Sequence, residues 1–418
     1  MTRKVIQLTL KYLSIAILAK YRPKVVAITG SVGKTSAKET IFLVLEHKFP
    51  GRVRRGEANL NTEIGVPLAV IGREAAARNV WLWLKNFALA LKLILRWDKN
   101  YPEILVLEMA ADRPGDISYL TSFIHPDIAV VTAIGEMPVH LEFFPERDTY
   151  ISEKAALIKN LKPGGLAVLN YDDLAVRELR DRVPTDRRRI YYGFQTGADI
   201  RVINFDYTVP ASTMELERSG MNFKVEDLVS GDLFDFKLPG VLGLPSIYAA
   251  LAAAAVGRSL GLDLASMAAA LEKLKPPAHR LELVRGIKET IILDDTYNSS
   301  PAAADAALEV LAKFKKNRRI AVLGSMRELG VNTETAHRRA GKEAAPAAQV
   351  LFLVGDEMVF AREEAEKFKK KSGENLFWFK TSLEAAKAVE KFLQPGDVVL
   401  IKGSRSVKME AIVEEIKL

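Results

Sequence analysis

Eight consecutive residues, Thr29-Gly30-Ser31-Val32-Gly33-Lys34-Thr35-Ser36, have the types and spacing needed to hold a polyphosphate. Glycines let backbone N–H groups converge on phosphate oxygens, the Lys34 ammonium adds a point charge, and the Thr35 hydroxyl is a hard oxygen suited to magnesium. The loop must open a helix, because first-turn N–H groups and the helix dipole supply the positive end. The flanks meet that condition: Val25 to Thr29 is a β-branched run that reads as a strand, and Lys34 to His47 reads as a helix. The glycine spacing departs from the longer phosphate loop, with Ile28 five positions before Gly33. A glycine turn that merely precedes a lysine is the competing reading, and the succession of strand, loop, Lys-Thr and helix disfavours it.

The elements that must position this loop follow the same grammar. Apolar runs at Ile104 to Leu107, Ile128 to Ile134 and Leu166 to Leu169 read as strands, with a helix from about Thr149 to Leu161. From Arg201 to Lys237 the pattern alternates as antiparallel strands do, and Tyr248 to Leu260 reads as an alanine-rich helix suited to close packing. Lys275-Pro276-Pro277 cannot continue a helix and is the expected linker. Beyond it strands are expected at Thr290 to Leu293, Ile320 to Leu323, Val350 to Val354 and Val398 to Ile401. The expected fold class is α/β: a P-loop-type ATPase domain with a mostly parallel sheet over 24–277, then a Rossmann-like α/β domain over 278–418.

Composition narrows the classes. A chain of 418 residues with 49% hydrophobic content can bury more than one core. No cysteine is present, which excludes a disulfide framework, a thiolate metal site and a cysteine nucleophile, and fits a reducing cytoplasm. The net charge of +8 suits nucleic acid, an anionic membrane surface or a polyphosphate ligand. With no aromatic single-strand platform and no recognition-helix signature, nucleic acid is not an expected partner.

Residues 1–23 read as a basic amphipathic helix, with Ile6, Leu10, Leu13 and Ile17 at helical spacing and no acid before Glu39. Lys11 interrupts its apolar run, so neither a membrane span nor a signal peptide is expected. Val80 to Trp97 interleaves Trp81, Trp83, Phe87, Leu91, Leu95 and Trp97 with Lys85, Lys92 and Arg96. A helix packed on the body of the protein is the favoured reading of this stretch, and peripheral contact with the inner face of a membrane the sharper alternative. The oligomeric state is not legible.

With its short Gly-x-x-Gly-Lys-Thr loop the chain resembles the Mur ligases of bacterial cell-wall synthesis, most of all the branch that adds D-alanyl-D-alanine. The match continues through Asn59-Leu60-Asn61-Thr62-Glu63-Ile64-Gly65-Val66-Pro67, Glu108-Met109, Gly115-Asp116-Ile117 and His140-Leu141-Glu142. Further on it runs through His279-Arg280-Leu281-Glu282, Asp294-Asp295-Thr296-Tyr297-Asn298 with Pro301, Gly324 to Gly330, and Lys402-Gly403-Ser404-Arg405. The resemblance implies an ATP- and magnesium-dependent ligase that makes an acyl-phosphate of a peptide carboxylate acceptor and transfers it to the amine of an amino acid or dipeptide.

Carried over residue by residue, it implies a nucleotide site of Gly30, Ser31, Gly33, Lys34, Thr35 and Ser36, with Thr35 and Glu108 at a first magnesium and His140 near a second. Lys154 falls where the family carries a carbamylated lysine that serves as an oxygen ligand; a solvated helix lysine is the rival reading. Arg280 would reach the γ-phosphate, Asp295 the ribose hydroxyls, Tyr297 the neighbourhood of the adenine, and Asn298 the nucleotide. Asn59 and Asn61 would meet substrate, and Lys402, Ser404 and Arg405 the carboxylate of the incoming amine.

Four departures bear on substrate. Only some two dozen residues precede the loop, where the family carries a uridine-nucleotide-binding domain. Pro245, Ser246 and Ala249 stand where the family usually has His and Asn side chains, Ser325 replaces a commoner aspartate, and the stretch between Thr132 and His140 is long. Two alternatives therefore stay open: a ligase acting on a lipid-linked or polymeric carboxylate, and a non-catalytic nucleotide-binding scaffold.

Overall fold

The computed structural model describes residues 3–57, 60–75, 79–138 and 140–418. Two sheets organise the chain. The first contains β1 (Lys24–Thr29), β2 (Val53–Arg55), β3 (Ile104–Glu108), β4 (Ile128–Val131), β5 (Leu166–Asn170), β6 (Arg188–Gly193), β7 (Ile200–Thr208), β8 (Gly220–Asp227) and β9 (Asp232–Pro239), in the spatial order 2-3-1-4-5-6-7-8-9. It is parallel from β2 through β7 and antiparallel across β7, β8 and β9. The second contains β10 (Glu282–Arg285), β11 (Ile291–Asp295), β12 (Arg319–Gly324), β13 (Val350–Val354), β14 (Leu376–Phe379) and β15 (Val398–Lys402), in the order 10-11-15-12-13-14. Only β10, at an edge, runs antiparallel there.

Central strands such as β1 and β3 are buried on both faces, which explains why they read as continuous rather than alternating apolar runs. One face packs on the helices Lys34–Lys48 and Leu244–Ser259, the other on Asp116–Thr121 and Arg147–Lys159. Ala249 to Ala255 are all buried, so small side chains let the two helices on the first face approach closely. Gly257 belongs to the same contact, where an added Cβ would lie 3.2 Å from Val44 Cγ1 and 2.5 Å from Met267 Sδ of the next helix, Leu264–Leu271.

The expected strand Ile128 to Ile134 ends at Val131, because the next residues leave the sheet to meet the phosphate loop. The helix expected from Tyr248 begins four residues earlier, with Pro245 in its first turn, where the missing N–H costs nothing. The N-terminal helix spans Arg3–Tyr21 with Leu10 and Ile17 fully buried, and a second helix, Val80–Leu95, packs against it. No helix among the described residues is long and apolar enough to cross a membrane.

In the first sheet the chain leaves β1 for β2 and β3 on one side, then crosses to β4 on the other. Ligands of open α/β sheets bind at such a switch point, outside the carboxyl ends of the strands. The loop 30–33 sits there.

Candidate active site

Backbone conformation shapes the loop before any side chain acts. Gly30 has φ +143°, and a Cβ there would lie 2.0 Å from Thr132 Oγ1, so only glycine lets the loop pass the end of β4. Gly33, with φ +85°, is the left-handed residue that turns the chain into the helix Lys34–Lys48. Ser31 N donates to Ala133 O at 2.6 Å, pinning the loop to the segment that follows β4. The first-turn N–H groups of this helix have no carbonyl partner within it and border a cavity of about 270 Å³.

That cavity collects groups from distant parts of the chain. Lys34 Nζ donates to Ser31 O at 3.1 Å; burial pulls its ammonium below the ordinary lysine range, while Glu108 draws it back up. Glu108, buried at the end of β3, accepts from Thr35 Oγ1 at 3.0 Å and from Asn61 Nδ2 at 3.1 Å. Lys38 Nζ lies 4.0 Å from the same carboxylate and donates to Gly56 O at 2.8 Å. Lys38 was not expected at the site from the sequence, although its place three residues after Thr35 puts both on one helix face.

The second sheet contributes the opposite wall through Arg280, Tyr297, Asn298, Ser299 and Ser300. Arg280 Nη2 donates to Thr35 Oγ1 at 3.4 Å, and its guanidinium lies 4.3 Å from the Tyr297 ring centre. Left-handed backbone at His279 and Leu281 aims this side chain. His279 is fixed in turn by its Nδ1 contact with Asp294 Oδ2 at 2.7 Å and by Tyr297 N donating to its carbonyl.

His140 also lines the cavity. Its Nε2 is 3.7 Å from Asp112 Oδ1, its Nδ1 is 2.7 Å from Glu328 Oε2 without hydrogen-bond alignment, and its N–H donates to Glu328 O. Burial lowers the imidazole pKa and raises that of the Glu328 carboxyl. Asp112 and Glu328 were not expected from the sequence: each depends on a loop brought in by tertiary structure. Lys154 is fully buried, 4.8 Å from the Tyr150 ring centre, and desolvation with the nearby Lys34 charge holds its pKa well below the usual range. The rival reading of Lys154 as a solvated helix residue is therefore corrected.

Several expected site residues are not brought to the cavity. Asp295 Oδ2 accepts from Lys402 Nζ at 2.6 Å, Lys402 also donates to Asn298 O, and neither side chain lines the cavity. Asp295, expected at the ribose, and Lys402, expected at a carboxylate, here form a buried ion pair with each other. Ser404 is buried with its Oγ accepting from Arg327 N, so it too is withdrawn. Arg405 is exposed, 3.8 Å from Glu410 Oε1 and 6.0 Å from the Tyr297 ring centre. Ser36 does not line the cavity, and its carbonyl accepts from Thr40 Oγ1 at 2.7 Å. Asn59 lies outside the described residues.

A second cavity, of about 390 Å³, opens behind the loop between Val32, Gly33 and Ala37 on one side and Leu244, Pro245, Tyr248 and Ala249 on another. Its wall is mostly apolar, with Asn170, Asp172, Asp305 and Arg339 at polar positions. Tyr248 OH donates to Asp172 Oδ2 at 2.9 Å. Tyr297 borders the cavity at the loop 30–33 rather than this one.

Comparison with known proteins agrees with this geometry. Residues 28–257 match the Mur ligase middle domain and 279–405 the Mur ligase, glutamate ligase domain. UDP-N-acetylmuramoyl-tripeptide–D-alanyl-D-alanine ligase of Bacillus subtilis is 29% identical over 97% of this chain and 79% of its own length. The Mycobacterium leprae enzyme of the same name is 30% identical over 93% and 72%. Among solved structures, MurF from Thermotoga maritima in complex with ADP superposes with a TM-score of 0.76 at 27% identity, covering 99% of this chain and 84% of that one. MurF from Acinetobacter baumannii shares the fold with a TM-score of 0.78 at 24% identity, over 98% and 80%.

Proposed function

The chain belongs to the Mur ligase family of ATP-dependent ligases, and from that premise we propose that it joins a peptide carboxylate to the amine of an amino acid or dipeptide during cell-envelope synthesis. D-alanyl-D-alanine, named for its relatives, is the first amine to try, with a peptidoglycan-precursor peptide as acceptor. The observation that carries this reading is the meeting of Lys34, Thr35, Glu108 and Asn61 with Arg280 around one cavity.

In the first step the acceptor carboxylate attacks the γ-phosphorus of ATP, the bond to the β–γ bridging oxygen breaks, and ADP leaves. First-turn N–H groups, Lys34 and Arg280 spread the charge that builds on the transferring phosphoryl. The amine then attacks the acyl carbon, phosphate leaves, and the amine nitrogen gives up a proton. The donor set fits magnesium: Thr35 and Glu108 offer hard oxygens, with His140 beside a further position. When bound, the ion offsets phosphate charge.

The same reading takes Lys154 as carbamylated: its neutral amine adds carbon dioxide, releases a proton and becomes an anionic oxygen ligand. Its burial beside Lys34 supports this, since the neutral amine is the nucleophile and the product's negative charge faces a cation. The division into units at 24–277 and 278–418, joined at Lys275-Pro276-Pro277, belongs to the reading too. A second form of it, working at the inner face of the membrane on a lipid-linked or polymeric carboxylate, is favoured by one observation: two surface helices without an acidic residue.

The test is magnesium-dependent phosphate release from ATP by wild type and Lys34→Ala, across muramyl-peptide acceptors paired with D-alanyl-D-alanine and other amines. Turnover requiring both acceptor and amine, and lost in Lys34→Ala, is the expected result. ATP binding with no turnover on any pair would favour the scaffold alternative.

A further inference from the structure

The helix Arg3–Tyr21 buries one apolar stripe and exposes another. Leu10 and Ile17 face the core, while Val5, Leu8, Tyr12 and Ile15 lie exposed at intervals of three and four residues. The neighbouring helix Val80–Leu95 does the same: Trp81, Leu84, Leu91 and Leu95 form its outer stripe, with Trp81 77% and Leu95 80% exposed. A helix apolar all round is ordinarily buried, and here each outer stripe faces solvent.

The two helices are tied into one unit at their carboxyl ends. Lys20 Nζ donates to the carbonyls of Leu93, Ile94 and Arg96, and the Tyr21 and Trp97 rings stack at 4.9 Å.

The charge pattern selects the occupant. Neither helix contains an acid, and among the described residues no ion pair engages Lys4, Lys85, Lys92 or Arg96. A second copy of this chain seated on the same face would set these cations against their own images, which opposes a symmetric dimer. Lysines flanking a stripe of leucine and tryptophan suit a surface with an anionic outer layer and an apolar layer beneath it. We infer that the two helices form a docking face for an anionic lipid bilayer, lying in the headgroup zone without crossing it. This inference concerns where the protein works and stands apart from the chemistry of the phosphate site.

The full chain is mixed with vesicles of phosphatidylglycerol and phosphatidylcholine, or of phosphatidylcholine alone, and bound protein is read by sedimentation and by brominated-lipid quenching of tryptophan. Wild type is expected to bind the mixed vesicles, with quenching, and to release as salt rises. Lys85→Gln/Lys92→Gln/Arg96→Gln is expected to bind on the order of 100-fold more weakly. Trp81→Ser/Leu91→Ser/Leu95→Ser is expected to lose binding and quenching while keeping the wild-type Tm, since these side chains are exposed.

Absence of wild-type binding to mixed vesicles would overturn the inference. Equal binding to both vesicle types with no loss in the glutamine variant would also overturn it, as would a dimer in sedimentation velocity that the serine variant dissolves.

Discussion

At the scale of single residues, burial decides what a cation can do. Lys34 and Lys154 are both fully desolvated, and the Lys34 charge adds to the cost of charging Lys154. For Lys154 the folded protein favours the neutral amine, whereas the unfolded chain holds a proton up to the ordinary lysine range. Between the lowered folded value and 10.5 the unfolded state therefore binds more protons, and stability from this group rises with pH through that window. Lys154→Met removes the penalty. In buffer free of carbon dioxide its Tm is expected to exceed that of wild type near neutral pH. The gap should close as pH rises toward 10.5, by at most about 1.4 kcal/mol per pH unit. A gap independent of pH would mean that the amine does not titrate on folding. With ¹³C-labelled bicarbonate the wild type is further expected to give a carbamate resonance that Lys154→Met lacks; its absence would leave Lys154 an unmodified amine.

At the scale of elements, the site depends on contacts one step removed from it. Glu153, beside Lys154 in sequence, accepts from the N–H groups of Gly115, Ile117 and Ser118, closing the amino end of the helix Asp116–Thr121. The Gly115-Asp116-Ile117 turn thus locks the helix that carries Lys154. Glu153→Gln turns an amide N–H toward one of these donors, and urea unfolding is expected to show a loss of about 2 kcal/mol. A loss below about 0.5 kcal/mol would mean that the capping contact contributes little.

What the sequence disclosed follows the same division. The loop, β1, β3 and the helix after the loop were legible because composition, period and turn residues agree over one continuous stretch. The strand β2 at a sheet edge, with three residues, and β14, with four, carry too little periodicity to announce themselves. Lys38 reads locally as a surface lysine, and only the fold buries it beside Glu108. The resemblance marked Asp295 and Lys402 as ligand contacts, but the sequence could not show that β11 and β15 are neighbours in register, with Asp295 opposite Lys402.

At the scale of the molecule, the cavity is half-built by each sheet. The loop and Glu108 come from the first, Arg280 and Tyr297 from beyond Lys275-Pro276-Pro277, and the Arg280–Thr35 contact spans the gap. Other bonds cross at the rim: His140 N donates to Glu328 O at 3.0 Å, and Arg339 Nη1 lies 3.5 Å from Glu136 Oε2. If Lys275-Pro276-Pro277 is the linker proposed above, its length sets the distance at which Arg280 meets a phosphoryl group. Inserting Gly-Gly between Pro277 and Ala278 tests this. The added chain entropy is small, since even doubling a loop costs only about 0.6 kcal/mol, so Tm is expected to change little. Catalysis responds far more steeply, because a misplacement of about 1 Å at the reacting centre can cost on the order of 100-fold. The insertion is expected to lower kcat by roughly that factor, while ADP affinity, held mainly by the loop 30–36, changes by less than about threefold. Equal loss of kcat and ADP affinity would mean that the second sheet acts chiefly in nucleotide binding. Unchanged kcat would mean that Arg280 is brought to the phosphate by closure of the two halves, independent of linker length.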